Sequence, residues 1–498
     1  MNILRSTREL KGLLFATICA LLIAGCGSEK GEGPVNPPTP GQGGGKKPKP
    51  PTGETAVLPA KDFRAAWVAT VLNLDWPQGK YDEASQKALF TQYVNKLQEL
   101  KMNAMFFQVR PIADTFWESQ YEPWSRYITG TEGKKPSYDV LRWMIDQCHS
   151  RGIAFHAWIN PYRISKSGSA TVSPMIPAKL VKRYNNCIIY NPALPETRER
   201  IANIVKELLQ KYDVDGIHFD DYFYPSLSGS ESMNDDAEFA KYGSKFTDIK
   251  VFRRAMVDSM VTKVQRTIRE VRPSAVFSIS PQGNLDNDLN QMYADVPLWA
   301  RKGWVDVIIP QLYWSTTKWF GPRLTQFATQ CAGKNKFMVG YGIYRFDRTQ
   351  NSGWDKDVNY QSNADLQRQF TMAYNNKKVA GSSLYRAQNL LDNPEKINEV
   401  IAKQFAKPAL LPYLSLLPEV KPATPKNVKV TENKLTWDAV ADCYYAVYQH
   451  NGDKKVATLV AIVQTNTYDL PAKGKFFVTA VKKNDNAESE ISAIVEKK

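Results

Sequence analysis

The chain has 498 residues, a formal net charge of +15, 43% apolar residues and 23% charged residues. These values are typical of a globular protein, and they exclude a polytopic membrane protein, a collagen-like fibre and a wholly disordered chain. The positive charge is spread along the chain without a basic stripe or a recognisable nucleic-acid module, so we expect no nucleic-acid partner. Aromatic residues make up 11%. Most of them are expected in the core, but the remainder can supply flat surfaces for stacking on sugar rings.

Residues 1–25 have the pattern of a bacterial lipoprotein signal peptide. Basic residues precede an apolar stretch that is too short to span a bilayer as a helix. The stretch ends in Ala24-Gly25-Cys26, which resembles the lipobox, so we predict cleavage before Cys26 and attachment of lipid to its thiol. The expected location is the cell envelope, with a lipid anchor in the outer membrane, on its periplasmic or its surface face.

The composition divides the remaining chain into three parts. Residues 26–55 are rich in Gly and Pro and lack apolar periodicity, which is typical of a flexible tether. Apolar patterning extends over 56–418, and a cluster of prolines marks the boundary to a smaller domain at 419–498. The four cysteines beyond residue 26 are far apart and form no CxxC pair, so we expect buried free thiols rather than a disulfide framework.

The larger domain alternates short strand-like runs with helical patterns. Eight such units predict an α/β fold, the (β/α)8 TIM barrel. No Gly-rich phosphate loop follows any strand, so we expect neither a nucleotide nor another cofactor. The predicted strands are 64–71, 104–110, 153–159, 215–222, 275–280, 305–313, 337–344 and 379–385, and the clearest helices are 86–100, 138–150, 197–212 and 250–271.

The smaller domain has the pattern of short alternating strands between turn residues. Trp437 on an early strand and Tyr468 before Leu470 resemble the core markers of a fibronectin type III module. We therefore predict a small all-β, immunoglobulin-like sandwich that acts as a spacer or docking surface and carries no catalytic group. The predicted strands are 434–440, 444–450, 455–463, 476–483 and 491–495.

The C-terminal ends of the barrel strands are where a barrel enzyme places its chemistry. Side chains alternate along a strand, so Gly216, His218 and Asp220 share one face of strand 4, and Asp221 follows where the strand can bend. Two adjacent carboxyl groups repel each other when both are charged. One pKa is then expected to rise while the other stays low, which suits acid–base catalysis.

Two other interpretations of strand 4 remain open at this point. One Asp could cap a loop while the other pairs with Arg110 or Arg163, which would make the pair structural. Alternatively, His156, His218 and Asp220 could converge on zinc, since a hydrolytic zinc site needs three protein ligands. Lone strand histidines more often bond to neighbouring side chains, and there is no HExxH motif, so we expect no metal.

Several strand ends resemble glycosyl-hydrolase-like family 10, a bacterial barrel family that often occurs as exported lipoproteins. The resemblance covers about 61–400 and implies a barrel with glycosidase activity. Some family members are similar to enzymes that cut peptidoglycan glycan strands stripped of their peptides. The matching stretches are 63–70, 106–111, 156–163, 215–225 and 310–314.

Strand 4 also resembles, more distantly, the corresponding motif of chitinase-type barrels. In those enzymes an Asp precedes a catalytic Glu, and a Tyr on strand 6 contacts the acetamide of the substrate. Tyr313 lies on the corresponding strand here, whereas Tyr222 stands at the position of the Glu and His218 replaces the first Asp of the motif. The resemblance therefore implies that Asp220 or Asp221 is the acid and that Tyr313 orients the acetamide or the nucleophile.

These patterns together predict a glycosidase that cleaves β-linked amino-sugar strands, such as peptide-free peptidoglycan, by carboxylate general acid–base catalysis. Either a second carboxylate or the acetamide of the substrate would balance the charge of the transition state. Tryptophans would stack on sugar faces. Asp75 and Asp114 are further candidates for the second carboxylate. The alternative is a non-catalytic polysaccharide-binding lipoprotein on a degenerate barrel. The predicted substrate-binding residues are Asp75, Trp76, Arg110, Asp114, His156, Trp158, Asn160, Arg163, His218, Tyr222, Gln311, Trp314, Tyr344 and Arg386.

Overall fold

The computed structural model of the protein describes residues 56–227, 230–347, 360, 362–452 and 456–498. The predicted signal peptide, the predicted lipidation site Cys26 and the Gly/Pro-rich tether lie outside the described residues. Within the described ranges, none of the helices combines the length and the apolar character needed to cross a membrane.

Eight parallel strands form a closed barrel, which confirms the predicted fold. The first strand pairs with the last, with Trp67 beside Tyr385, and this pairing closes the ring. All eight strands overlap the predicted runs, although the sixth has only 2 residues. The strands are β1 (Phe63–Val68), β2 (Ala104–Arg110), β3 (Ala154–Ile159), β4 (Gly216–Phe219), β5 (Val276–Ile279), β6 (Val307–Ile308), β7 (Lys336–Gly342) and β8 (Val379–Tyr385).

The barrel strands are buried on both faces. Every residue of β1, β2 and β3 is buried. A strand that is covered on both sides needs apolar residues at consecutive positions, which explains the continuous runs in the sequence. The inward side chains, including Trp67, Phe106 and Met338, form an interior cluster separate from the layer between strands and helices.

Helices surround the barrel, and several begin at an acidic cap. The Asp82 side chain accepts a hydrogen bond from the Ser85 N–H at 2.8 Å, and Asp139 accepts one from the Arg142 N–H at 3.0 Å. Such caps satisfy backbone donors that have no partner within the helix. The four predicted helices are present, with ends shifted by a turn or less. The α-helices are Glu83–Glu99, Arg126–Thr129, Val140–His149, Pro195–Lys211, Asp236–Tyr242, Ile249–Val271, Leu285–Asn290, Val296–Lys302, Phe320–Gln330, Ala364–Tyr374, Gln388–Asp392 and Ile397–Gln404.

Shorter elements complete the larger domain. A three-stranded antiparallel sheet follows β3, on the side of the C-terminal strand ends; it comprises Arg163–Ser165, Val181–Arg183 and Ile188–Tyr190. Single turns of 3-10 helix occur at Val71–Asn73, Ala178–Leu180, Ile343–Phe346 and Pro394–Lys396.

The C-terminal domain consists of two small antiparallel sheets, as predicted. One sheet is formed by Lys429–Thr431, Lys434–Thr436 and Thr467–Asp469, and the other by Thr458–Val463, Cys443–His450, Gly474–Lys482 and Val495–Lys497. Trp437 packs edge-on against Tyr445 with ring centroids 5.2 Å apart, inside a cluster that both sheets share. Membership in the fibronectin type III class stays a prediction.

This second domain lies against the floor of the barrel, where the strands begin. The linker after the barrel enters first, and its Leu411 and Leu414 belong to the interior cluster of the barrel. Lys61 forms a 3.1 Å salt bridge with Glu488 of the second domain. A cavity of about 320 Å³ remains at the junction. The floor is therefore covered, whereas the C-terminal strand ends form the open mouth.

Candidate active site

The inward face of β4 leads to the mouth of the barrel. Gly216, at its start, pairs with His156 of β3. A Cβ atom at position 216 would lie 2.4 Å from His156 Nδ1 and 2.7 Å from the Val276 carbonyl oxygen, so only glycine fits. His218 and then Asp220 follow on the same face, as the alternation along the strand predicted.

His218 is held entirely by protein groups inside the barrel. The Trp67 indole N–H donates to His218 Nε2 at 3.0 Å, and His218 Nδ1 lies 2.8 Å from the Ser278 hydroxyl oxygen. Because the indole can only donate, Nε2 accepts and Nδ1 carries the proton. Burial lowers the pKa of His218 well below its usual value, so the ring is neutral. The prediction that His218 contacts substrate is therefore wrong, because the residue supports the strand beneath Asp220.

Asp220 and Asp221 form a buried pair at the end of β4, only 6% and 7% exposed. The Asp221 N–H donates to Asp220 Oδ1 at 2.9 Å, and the Gln311 side-chain amide donates to the same oxygen at 3.4 Å. Burial raises the pKa of Asp221 well above its usual range, the charge and hydrogen bonding of Asp220 raise it further, and Arg163 opposes the shift. The pair thus holds the pKa of one of its two carboxyl groups well above that of an ordinary aspartate.

Tyr313 follows β6 and lies beside this pair. Its ring stacks on Tyr385 with centroids 5.6 Å apart and planes at 15°, and Tyr344 packs edge-on at 5.9 Å. Burial raises the pKa of Tyr313 well above its usual value, and the neighbouring tyrosines and both aspartates raise it further. The phenol therefore keeps its proton and can donate a hydrogen bond at the mouth.

Arg163 and Tyr222 form the adjacent wall. The Arg163 guanidinium carbon lies 3.8 Å from the centroid of the Tyr222 ring. Arg163 is buried, whereas Tyr222 is 44% exposed and offers part of its surface to the mouth. The two residues line a pocket of about 270 Å³ beside the aspartate pair. The structure thus brings these two predicted binding residues together with Asp220 and Asp221.

Arg110 is not available to a substrate. Its Nε and Nη2 donate to the two carboxylate oxygens of Glu122, each at 2.7 Å, and Arg110 is 1% exposed. The Tyr190 hydroxyl also donates to Glu122, at 2.8 Å. Both the predicted substrate contact of Arg110 and the alternative pairing of Arg110 with the aspartates are therefore wrong, because Glu122 takes the guanidinium.

Asp75 and Asp114, the two further candidates for the second carboxylate, are also bonded to other groups of the protein. Asp75 forms a buried salt bridge with Arg386 and accepts the Ala69 N–H at 2.7 Å. Asp114 accepts the Ser125 hydroxyl at 2.8 Å, and burial raises the pKa of Asp114 to about 7. Both carboxyl groups are fully buried. The predicted substrate contacts of Asp75, Asp114 and Arg386 are therefore corrected to structural contacts.

Two more predicted binding residues are part of the packing. Trp76 is fully buried, donates its indole N–H to the Gln86 carbonyl at 3.2 Å, and packs against Phe107 and Phe116. The prediction that Trp76 stacks on a sugar is therefore wrong, because its ring has no exposed surface. His156 is 2% exposed in the barrel interior, and burial lowers its pKa to about 4. The neutral ring lies one layer below His218, out of reach of the mouth.

Other predicted residues retain polar or aromatic surface that the protein does not use. The Trp158 indole nitrogen and both polar atoms of the Asn160 side chain are buried without a hydrogen-bond partner among the described residues. Buried polar groups are normally paired, so these atoms are suited to meet a ligand or water. Trp314 is half-buried over Gly283, where a Cβ atom would lie 2.3 Å from the indole ring.

Sequence reasoning missed two residues close to the pair. Tyr385 stacks on Tyr313 from β8, while its neighbour Arg386 turns away to Asp75. Alternation along the strand could have separated the two, since successive side chains face opposite sides. Asp288 is buried, and its charge contributes to the raised pKa of Asp221. It lies on the short helix Leu285–Asn290, which has no apolar periodicity that would predict a helix.

A zinc site is not formed by the residues proposed for it. His218 Nε2 and Nδ1 are both bonded within the protein, which leaves no nitrogen free for a metal. No group of three or more His, Cys, Asp or Glu side chains suited to a metal ion occurs in the described part of the chain. The cysteines at 148, 187, 331 and 443 are free thiols, and all except the half-buried Cys187 are buried, as expected.

A closed (β/α)8 barrel with paired carboxyl groups at the end of strand 4 is an arrangement compatible with a glycoside hydrolase. Residues 62–349 match the family described as Glycosyl hydrolase-like 10, which is more than half of the chain. The chain belongs to this family, and the protein is a glycosidase.

Two relatives by sequence support the same assignment. The chain is 31% identical over 488 residues to the glycosyl hydrolase YngK of Bacillus subtilis (strain 168), covering 87% of this chain and 92% of that protein. It is 35% identical over 332 residues to the glycosyl hydrolase DigH of Escherichia coli (strain K12), covering 59% of this chain and 73% of that protein. Among solved structures it is similar to the PgaB (BpsB) glycoside hydrolase domain from Bordetella bronchiseptica, with 14% identity, 69% and 99% coverage and a TM-score of 0.46.

Proposed function

We propose that the protein hydrolyses β-linked amino-sugar strands, such as peptidoglycan glycan stripped of its peptides. The observation that carries the proposal is the buried Asp220–Asp221 pair beside the Tyr313 hydroxyl. Burial and the Asp220 charge keep Asp221 protonated, which suits a general acid, while Asp220 supplies the negative charge next to it. The resemblance of strand 4 and Tyr313 to chitinase-type barrels supports an N-acetylated sugar.

In the proposed reaction Asp221 donates its proton to the glycosidic oxygen as the bond to the anomeric carbon breaks. The carbonyl oxygen of the substrate acetamide attacks that carbon and forms a cyclic intermediate, whose charge Asp220 offsets. Water then opens the ring and returns a proton to Asp221. This substrate-assisted route is a known exception to the two-carboxylate rule. It is favoured because Asp75 and Asp114 are bonded to Arg386 and Ser125.

Substrate contacts in this proposal come from groups with surface or unpaired atoms at the mouth. Tyr222 and the half-buried rings of Trp314 and Tyr344 would pack against sugar faces. The unpaired amide of Asn160 would bond to a hydroxyl, and Tyr313 would hold the acetamide.

The pair also sets the expected pH dependence. Activity requires a protonated Asp221, so kcat is expected to fall as the pH rises through its raised pKa. Replacing Asp220 with Asn removes a like charge, which lowers the pKa of Asp221. The alkaline limb of the profile should therefore move to lower pH in Asp220→Asn, and an unmoved limb would contradict the assignment.

The direct test is release of new reducing ends from purified peptide-free peptidoglycan, with products identified by mass spectrometry. We expect Asp221→Asn to lower kcat by about 10²- to 10⁴-fold, the usual contribution of a general acid. Asp114→Asn is the matched control, since that carboxyl is also buried but bonds to Ser125. Chitin and a uronic-acid polymer serve as comparison substrates. Near-wild-type rates in folded Asp220→Asn and Asp221→Asn would refute the proposal.

The same proposal places the enzyme in the cell envelope, attached through lipid on Cys26 in the outer membrane. The lipobox-like end of the signal region supports this. Metabolic labelling with a fatty acid, followed by membrane fractionation, should label the wild type and not Cys26→Ser. Equal labelling of both would exclude Cys26 as the anchor.

A further inference from the structure

The pocket beside the aspartate pair carries two cationic side chains. Arg163 and Lys166 line it together with Asn186, Tyr222 and Gln282. The residues from 163 to 165 form the first strand of the small sheet above β3, and Lys166 follows directly. The sheet thereby presents both positive charges to one concave space of about 270 Å³.

Neither cation has a carboxylate partner. Arg163 and Lys166 form no salt bridge in the described ranges, and Arg163 instead lies over the Tyr222 ring. Partial burial and the charge of Arg163 lower the pKa of Lys166, while Asp220 opposes the shift. Glu231 does not line the pocket, and its Oε1 accepts the Asn185 N–H at 2.8 Å.

The pocket lining carries two positive charges, from Arg163 and Lys166, and none of the lining residues is Asp or Glu. Asp220 and Glu231 lie outside this lining, although their charges act on Lys166 and on the lining residue Cys187. A partly enclosed site with a positively charged lining attracts an anion, and guanidinium and ammonium groups together suit a carboxylate.

We propose that this pocket is a subsite for the carboxylate of an acidic sugar unit next to the cleavage point, with Lys166 as a specificity-determining residue. This inference rests on the proposed function. Removal of the peptides from peptidoglycan uncovers a lactyl carboxylate on every second sugar, whereas a strand with peptides carries a neutral amide there. The subsite would therefore select bare strands over both peptide-bearing strands and neutral chitin.

The test compares two versions of one polymer: peptide-free glycan strands, and the same strands with the carboxylates converted to methylamides. Lys166→Met removes the charge and Lys166→Arg keeps it, while Arg163 is left intact because its charge also lowers the pKa of Asp221. Lys166→Met should lower kcat/KM on the carboxylate polymer about tenfold, mainly through KM, as expected for one exposed charge-assisted contact. Its activity on the methylamide polymer should be unchanged, and Lys166→Arg should restore the loss.

Two results would refute the proposed subsite: an equal loss of kcat/KM in Lys166→Met on both polymers, or no loss of kcat/KM on either. The loss should also shrink at high salt, since exposed charges are screened. If the wild type releases no reducing ends from either polymer, the proposed function fails by itself. The subsite is then judged by binding of N-acetylmuramic acid against its methylamide in NMR titrations. Binding that needs both the carboxylate and Lys166 would sustain the subsite, and equal binding of the two sugars would overturn it.

Discussion

Replacement of Asp114 by Asn should change the pH dependence of folding by a predictable amount. Asp114 is fully buried; one oxygen accepts the Ser125 hydroxyl, and the other has no partner among the described residues. Burial raises the pKa of Asp114 from 3.8 to about 7. The native protein thus binds this proton more tightly than the unfolded chain does. The resulting stability is fully present below about pH 4 and is lost as the pH rises to about 7.

The magnitude of the loss in stability follows from the width of that pH interval. Each pH unit across it costs about 1.4 kcal/mol, so ionisation of Asp114 removes about 4 kcal/mol of stability in total. Asn keeps the shape of the side chain and can still accept from Ser125, but it does not ionise. The difference in unfolding free energy between Asp114→Asn and the wild type should therefore grow in favour of the variant from pH 4 to pH 7 and then level off.

Urea unfolding followed by circular dichroism at successive pH values measures this difference. Ser125→Ala in the wild-type background removes the bond to the carboxylate, a bond that lowers the pKa of Asp114. The loss of stability should therefore extend to higher pH in this variant. The glycosidase rate of Asp114→Asn should match the wild type, because Asp114 bonds to Ser125 and not to the Asp220–Asp221 pair proposed as catalytic. A difference in unfolding free energy that is constant with pH would refute the assigned pKa shift.

Two further substitutions test the packing around the site. Glu122→Gln leaves the buried Arg110 charge without its counter-ion and should destabilise the protein by about 3–5 kcal/mol in urea unfolding; a loss below about 1 kcal/mol would show that the pair is not buried as described. Gly216→Ala would place a methyl group 2.4 Å from His156 Nδ1, and it should lower the melting temperature far more than Gly333→Ala, where the nearest atom is 3.3 Å away. Equal melting temperatures for the two alanine variants would contradict the close approach at β4.

The barrel was predictable because its strands are buried on both faces and appear as uninterrupted apolar runs. The main deviation is β6, predicted over 305–313 but found at Val307–Ile308. Pro310 has no N–H to give to a ladder, so regular pairing ends before it. Only isolated bridges continue the strand, from Gln311 to Gln282 and to Gly340.

The position of the Asp220–Asp221 pair was also predictable, since strand alternation and the barrel rule both direct Asp220 to the mouth. The sequence could not show which charged side chains pair with each other inside the protein. Asp75 and Arg386 bond across 311 residues of sequence, at the seam where β1 meets β8. Pairing over such a distance is set by closure of the barrel, and no local pattern records it. For the same reason no local pattern indicates the bond between Trp67 and His218, which are 151 residues apart.

The covered floor also determines where the described part of the chain enters the fold. Val57, near the first described residue, pairs with Val456 of the C-terminal domain, and Ala457 donates its N–H to the Val57 carbonyl at 2.8 Å. The polypeptide thus enters the fold at the closed end of the cylinder. The C-terminal domain and the first described residues therefore lie together at the floor, and the open mouth lies at the opposite end of the barrel. A long ligand can reach the mouth without displacing the C-terminal domain.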